Sequence, residues 1–341
     1  MFEAMPYDEE KYQRAKKHWD ELAKPLHGMG LFEELISRIE GMPNAGGLKK
    51  RCVLVFCADN GVVEEGVTQT GSEVTATVAE NMARGDATVC IMAKAAGADV
   101  FPVDIGMCRA ADGVRDEHIL RGTHNFYQTR ATSREECLRA VKKGASLARE
   151  FAQKGYGVIA AGEMGIGNTT TAGAVASVLL DLPPRLVTGK GAGLSPAGLE
   201  RKIQIIERSV ARLQPDREDA LDVLSKVGGL DIAGMCGAFL GGAQAGIPVI
   251  IDGVISAVAA LCAAKLCPQS KKYMIASHLS GEPAAKYVLD SLGFAAPIRA
   301  DMALGEGTGA VALLPLLDMA YAVFREMICF SQTDIEEYKP L

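Results

Sequence analysis

The sequence predicts an α/β protein with a parallel sheet covered by helices on both faces, and three observations predict it. Five short apolar runs each stop at a polar residue, a glycine or both, and most are followed by a helix-length segment. The 341 residues are 48% hydrophobic and 23% charged, ordinary composition for a chain that buries a core. At roughly 150 residues per domain, the length suits two domains or one large one.

Along the chain, the first fifty residues are charged and helical in pattern. Leu22, Leu26, Leu31, Leu35 and Ile39 are among the apolar positions, and the segment ends in the turn-forming run GMPNAGG. The strand candidates follow. Cys52 to Cys57 stops at Asp59, Asn60 and Gly61; Val100 to Val103 stops at Asp104 and Gly106; Gly157 to Ala161 stops at Gly162 and Glu163. Ile247 to Ile251 stops at Asp252 and Gly253, and Tyr273 to Ala276 stops at Ser277 and His278. In a Rossmann-like, doubly wound sheet these stops fall on the carboxyl edge, where loops and helix starts converge on ligands. Asp and Gly also simply punctuate turns, so it is the coincidence of the five that favours a site.

A helix over 194–213 is well specified. Ser195 is a capping residue, Pro196 suits the first helical position, Leu199, Ile203, Ile206, Val210 and Leu213 form one stripe, and Pro215 ends it. Lys202 sits beside that stripe, where its ammonium either reaches inward along the helix edge or stays in water. The uncharged stretch Ile232 to Ile251 is long enough to span a bilayer, but five glycines, Gln244 and Pro248 interrupt it; it reads as a buried helix followed by a strand. A final helical stretch, Leu313 to Met327, is expected to pack with the chain start. That gives a small helical domain from 1–50 plus 318–341 and a large α/β catalytic domain over 51–317.

Composition excludes several functions. With 36 basic and 42 acidic side chains the net charge is −6, which offers no overall basic field to a nucleic-acid backbone. Nine scattered cysteines, an odd number without C-x-x-C spacing, read as reduced thiols of a cytoplasmic protein rather than disulfides or a zinc site. The charged N-terminus lacks the apolar centre of an export signal, and neither a membrane segment nor a metal is expected. Glycine stands at 37 of 341 positions, about 11% against ~7% on average, which points to backbone loops as the functional surface.

Three glycine-rich loops can carry chemistry. The first, Gly162-Glu163-Met164-Gly165-Ile166-Gly167-Asn168-Thr169-Thr170-Thr171, follows the third strand candidate and opens a small-residue helix, a combination that attracts an anionic group to backbone amides without net positive charge. It lacks the Gly-Lys-Ser/Thr ending of a Walker loop and the spacing of G-x-G-x-x-G. The second is Thr188-Gly189-Lys190-Gly191-Ala192-Gly193, just before the helix that carries Lys202. The third, Leu304-Gly305-Glu306-Gly307-Thr308-Gly309, sets one carboxylate among three glycines. Glu306 there is either a desolvated general base or acid, its pKa raised, or a cap for the helix that follows. No H-x-x-x-H spacing, G-x-S-x-G elbow or carboxylate-rich metal loop is present.

Together these stretches resemble one enzyme family, the nicotinate-nucleotide:dimethylbenzimidazole phosphoribosyltransferases, which make the α-ribazole phosphate of the cobamide lower loop. The matching segments are FCADNGVVEEGV (56–67), GEMGIGNTTTAG (162–173), TGKGAGL (188–194), GGLDIAGMCGAFLGGA (228–243), PVIIDGVISAVAA (248–260), SHLSGEP (277–283) and LGEGTGA (304–310), in the family's order. The resemblance implies that an acceptor base attacks C1 of the ribose of nicotinate mononucleotide, nicotinate leaves, and the configuration inverts from β to α. No cofactor or metal is implied. It casts Glu306 as general base and Glu163 as a second carboxylate near the ribose. Phosphate and ribose would be held by Gly165, Asn168, Gly191, Lys202, Ser280 and Gly281, with Asp252 in support. The acceptor would lie against Asn60, Ser72, Met164, Leu304 and Gly305.

Two departures bear on the acceptor. The family usually has His where Asn60 stands and a Pro-Gln pair where Gly71 and Ser72 stand, so a benzimidazole, a purine and a phenol all remain open as acceptors. The family is dimeric, which implies a homodimer, or a heterodimer with a paralogue. The alternative function is a non-catalytic or less active subunit of such a pair, against which the retained Glu163, Lys202, Ser280 and Glu306 argue. A third reading, a dinucleotide-dependent α/β enzyme, is the weakest.

Overall fold

The computed structural model describes residues 2–336 and 338; positions 1, 337 and 339–341, which belong to the terminal segments read above as a small domain, lie outside the described residues. Six strands among the described residues form one all-parallel sheet: β1 (Arg51–Ala58), β2 (Ala98–Gly106), β3 (Arg115–Asp116), β4 (Val158–Met164), β5 (Val249–Ile251) and β6 (Met274–Ala276). Their order is β3-β2-β1-β4-β5-β6. The chain winds outward in one direction from β1 and in the other from β4, so the topological switch point, where ligands collect in such sheets, lies between them. There Phe56 pairs with Glu163, and Cys57 with Met164.

Thirteen helices among the described residues accompany the sheet. They are α1 (Glu9–Glu21), α2 (Leu31–Glu40), α3 (Glu73–Arg84), α4 (Thr88–Ala95), α5 (Arg134–Gln153), α6 (Asn168–Leu180), α7 (Pro184–Val187), α8 (Pro196–Leu213), α9 (Ala220–Val227), α10 (Leu230–Ala245), α11 (Val254–Leu266), α12 (Ala284–Leu292) and α13 (Thr308–Glu326). The period of two along β1 sorts them into layers. Cys52, Leu54 and Phe56 face a core shared with α5, α6, α10 and α11, whereas Val53, Val55 and Cys57 face one shared with α1, α2, α3, α4 and α13. Each such fully buried side chain contributes ~1.5–3 kcal/mol relative to exposure.

All five apolar runs are strands, because continuous hydrophobicity suits a sheet covered on both faces. The sixth strand, β3, has only two residues and no apolar run to announce it. The stretch 232–251 is α10 followed by β5. Two helical expectations shift. Leu22 and Leu26 are not helical, since the chain turns at Pro25 to Gly30 between α1 and α2, consistent with Pro and Gly there. The last helix begins at Thr308, five residues before Leu313, because its start is capped by a distant side chain rather than by local sequence.

The terminal helices touch directly. His18 Nε2 lies 2.8 Å from the Phe324 carbonyl, the Trp19 and Phe324 rings stand 5.1 Å apart, and Leu22 bridges to Cys329. On the opposite layer α5 and α10 meet backbone to backbone: a Cβ at Gly237 would stand 2.8 Å from the Ala145 nitrogen. All nine cysteines are free, and six of them are buried.

Candidate active site

The loops beyond β1, β4, β5 and β6 enclose a cavity of about 250 Å³ on the carboxyl edge of the sheet. Its floor begins with β4. Glu163, the penultimate residue of that strand, is buried and faces the cavity together with Met164 and Gly165. The chain then turns through Gly167 into α6, whose first residues, Asn168 and Thr169, form the next part of the wall. The start of this thirteen-residue helix brings a partial positive charge to the cavity.

Lys202 is fully buried on α8, the inward of its two readings. As expected, Ser195 caps that helix by accepting from the Gly198 N–H at 3.1 Å. The Lys202 ammonium donates to Thr169 Oγ1 at 2.7 Å and to the Gly189 carbonyl at 3.2 Å, pinning the second glycine loop to the start of α6. Burial lowers its pKa to about 8, although Glu282 opposes the shift. Lys202 itself stays behind the wall; Lys190, Gly191 and Ala192 of the pinned loop line the cavity.

The third glycine loop closes the other side. Gly305, Glu306 and Gly307 have φ of +89°, +62° and +91°, so a glutamate is held in the left-handed region between two glycines that favour it. Asp252, at the end of β5, fixes this conformation. Its Oδ2 accepts from Gly307 N–H at 3.1 Å, and its Oδ1 accepts from Gly309 and Ala310 N–H at 2.7 and 3.0 Å, which caps α13. Leu304 and Gly305 line the cavity. The Glu306 carboxylate turns the other way, with Oε2 accepting from the Val89 N–H at 3.3 Å at the start of α4. Glu306 is half-buried and remains joined to β4, its own N–H donating to the Glu163 carbonyl at 3.2 Å. Burial raises its pKa, the Val89 amide lowers it and Asp252 raises it further.

Glu163 is pushed up to about 8, chiefly by burial and then by Asp231, while the Asn168 amide opposes the shift. Such a carboxyl holds its proton near neutrality, the poise of a group that exchanges protons or donates hydrogen bonds to a ligand.

The cavity therefore brings together Glu163, Met164, Gly165, Asn168, Gly191, Asp252, Ser280, Leu304 and Gly305. Five other candidates do not line it. Besides Lys202 and Glu306, Asn60 is buried beneath the first glycine loop, donating to the Ile166 carbonyl at 3.3 Å. Ser72 stands half-buried at the start of α3, and Gly281 is exposed, its N–H on the Met302 carbonyl at 3.2 Å. Val67, Thr68, Gln69 and Thr70 also line the cavity; they lie in the segment that carries the two departures, within which sequence reasoning does not single them out, and the Gln69 side chain donates to the Gly193 carbonyl. Sequence reasoning missed Asp231, fully buried in the first turn of α10, where a lone carboxylate in an apolar run was the available signal. His278 lines the cavity too, its Nδ1 3.1 Å from Ser277 Oγ. Away from the cavity, Asp104, Asp116 and His118 converge closely enough to suit a cation, but Arg121 pairs with Asp104 at 2.9 Å there. That group joins two strands, so no sequence spacing reveals it.

Doubly wound topology, a helix start opening onto the cavity and a buried carboxyl with a raised pKa beside the switch point are the marks of an enzyme site. Comparison with known proteins gives the class: a family profile described as phosphoribosyltransferase matches residues 4–335. The nicotinate-nucleotide–dimethylbenzimidazole phosphoribosyltransferase of Acetivibrio thermocellus is 40% identical over 335 residues, 97% of this chain and 95% of that one. Its namesake from Clostridium acetobutylicum is also 40% identical, over 98% and 96% of the two chains. Among solved structures, CobT from Thermus thermophilus superposes with a TM-score of 0.89 at 36% identity, over 96% of this chain and all of that one. The chain belongs to the nicotinate-nucleotide–dimethylbenzimidazole phosphoribosyltransferase family, and it is a glycosyltransferase by that membership.

Proposed function

We propose that this chain transfers the 5-phosphoribosyl group of nicotinate mononucleotide to an aromatic base such as 5,6-dimethylbenzimidazole, releasing nicotinate and inverting C1 from β to α. The observation that carries the reading is the polarity of the cavity. One end is an anion cradle made by the start of α6, the loop pinned by Lys202, and Ser280; the other is bounded by Met164, Leu304 and Gly305, with Glu163 between. The nucleotide phosphate suits the cradle, where backbone amides and the helix start meet its charge. The ribose then lies over Glu163, and the flat acceptor against Met164 and Leu304.

In the reaction, the acceptor's ring nitrogen forms a bond to C1 as the C1–pyridinium bond breaks, and the electron pair of that bond leaves with nicotinate. The departing ring is cationic beforehand, so the leaving group needs no acid, and alignment of the two rings lowers the barrier by making the attack effectively unimolecular. The acceptor's N–H proton passes to Glu306 once its carboxylate, which turns from the cavity onto the Val89 N–H, rotates about its side chain toward the acceptor. Its Oε2 accepts from the Val89 N–H, and Oε1 is the oxygen assigned to take the proton.

We further infer a homodimer. Pro315 and Met319 are exposed on α13 and Ala312, Leu316 and Val323 half-buried beside them, while Ile91 is 65% exposed on the adjoining α4. A contiguous apolar surface of this kind suits a second copy of the chain.

The test is purified chain incubated with nicotinate mononucleotide and, in turn, dimethylbenzimidazole, adenine and a phenol, with products separated by mass. Nicotinate release with a ribosylated acceptor is the expected result, and no release with any acceptor refutes the reading. Light scattering in solution tests the dimer.

A further inference from the structure

Behind the cavity wall lies a buried polar group that the transfer reaction, as described, does not use. Asp231 is fully buried in the first turn of α10. Its Oδ1 accepts from the Ile232 N–H at 2.9 Å and its Oδ2 from the side-chain amide of Asn168 at 3.0 Å. The same Asn168 nitrogen donates to Glu163 Oε2. One amide, with one N–H for each carboxylate, therefore joins Asp231 to the carboxylate that faces the ligand.

The surrounding backbone closes tightly on Asp231. A Cβ at Gly165 would stand 2.6 Å from Asp231 Oδ2, and one at Gly229 would collide with Oδ1. Glycine at both positions lets two loops pack onto this carboxylate. Among the described residues, no Lys, Arg or His forms an ion pair with Glu163 or Asp231. Two carboxyls buried this close without a cation disfavour a second negative charge. Burial and neighbouring acid groups raise both, Asp231 to about 6.

We propose that Asp231 is a positioning residue of this active site: through the amide of Asn168 it fixes the orientation of the Glu163 carboxyl and determines whether that carboxyl keeps its proton. The inference rests on the proposed function for its consequence in catalysis, and on geometry for the linkage itself. Glu163 is also faced by Asp252 and Glu306, and Asp231 by Asp59; the Cys57 thiol stands near both. Of the basic side chains, His278 faces Asp252 and Arg109 faces Asp59. Among the described residues, only Asp231 shares a hydrogen-bonded donor with Glu163.

The experiment reads the Glu163 carboxyl directly, by carbon-13 NMR of protein labelled at glutamate carboxyls, with Glu163→Gln assigning the signal. Asp231→Asn removes a negative neighbour, so the Glu163 midpoint moves to lower pH, by about one unit. Asn168→Ser removes the donor that stabilises the charged form, so the midpoint moves to higher pH. Opposite signs from two neighbouring substitutions are what a purely structural role does not give. Turnover of Asp231→Asn falls about tenfold, a typical coupling within one network, with the nucleotide KM nearly unchanged. If Asp231→Asn leaves the midpoint in place, the proposal is overturned, whatever Asn168→Ser does. If Asp231→Asn does not fold, Asp231→Ser replaces it; if neither folds, Asn168→Ser decides, and an unmoved midpoint overturns the proposal. The titration needs no substrate. A wild-type chain that releases no nicotinate therefore refutes the proposed function and leaves the linkage to be judged on its own.

Discussion

The Asp252 carboxylate accepts the Gly309 N–H at 2.7 Å across 57 positions of sequence, and this contact joins the end of β5 to the start of α13. Through it one side chain caps a helix and holds the Glu306 loop in its left-handed turn. Asp252→Ala removes three backbone hydrogen bonds at once. We expect a loss of about 2 kcal/mol in unfolding free energy, measured by urea denaturation, together with a fall in turnover much larger than stability alone explains.

Glu306→Gln keeps the volume and the bond to Val89 but cannot take a proton. Turnover should fall at least ~100-fold, the usual scale for removing a general base, while binding of nicotinate mononucleotide measured by calorimetry stays within about threefold. Turnover near wild type removes Glu306 from the mechanism.

Lys202→Met deletes the ammonium that pins the second glycine loop to Thr169. Charged hydrogen bonds are worth ~1.5–3 kcal/mol, so the nucleotide KM should rise at least about tenfold with a small change in kcat. An unchanged KM would mean that the cradle holds phosphate without the lysine.

Glu163 gives stability a pH dependence whose sign is fixed. Its folded pKa, about 8, lies above the ordinary 4.5, so the folded state binds the proton more tightly than the unfolded chain does. The contribution is fully present below pH 4.5 and is lost as pH rises through 8. Glu163→Gln, which never ionises, should therefore gain in melting temperature relative to wild type between about pH 5 and pH 9, with the gain levelling off above that range. A constant difference across it would contradict the raised pKa.

Much of the fold is legible in the sequence because its strands are buried on both faces and read as unbroken apolar runs, Cys52 to Cys57 above all. β3 is not legible, since two residues carry no period. In the site, local spacing leaves Lys202 two readings and packing selects the buried one. Other features lie wholly in long-range contacts. Glu306 meets Val89 across 217 positions, Gln69 meets Gly193 across 124, and Asp231 meets Asn168 across 63. A window of one or two helical turns contains none of these pairs, so the direction in which Glu306 points and the role of Asp231 emerge only when the strands are laid side by side.

The direct apposition of α5 and α10 gives the fold an internal ruler. Gly237 rests against the Ala145 backbone with no side chain as cushion, so α10 cannot creep along its neighbour without steric collision. Six residues earlier on the same rigid rod, roughly 9 Å at 1.5 Å per residue, stands Asp231. The depth of that carboxylate is thus gauged by a contact remote from any ligand, and enlarging Gly237 would miscalibrate the chemistry while leaving every residue that touches substrate untouched.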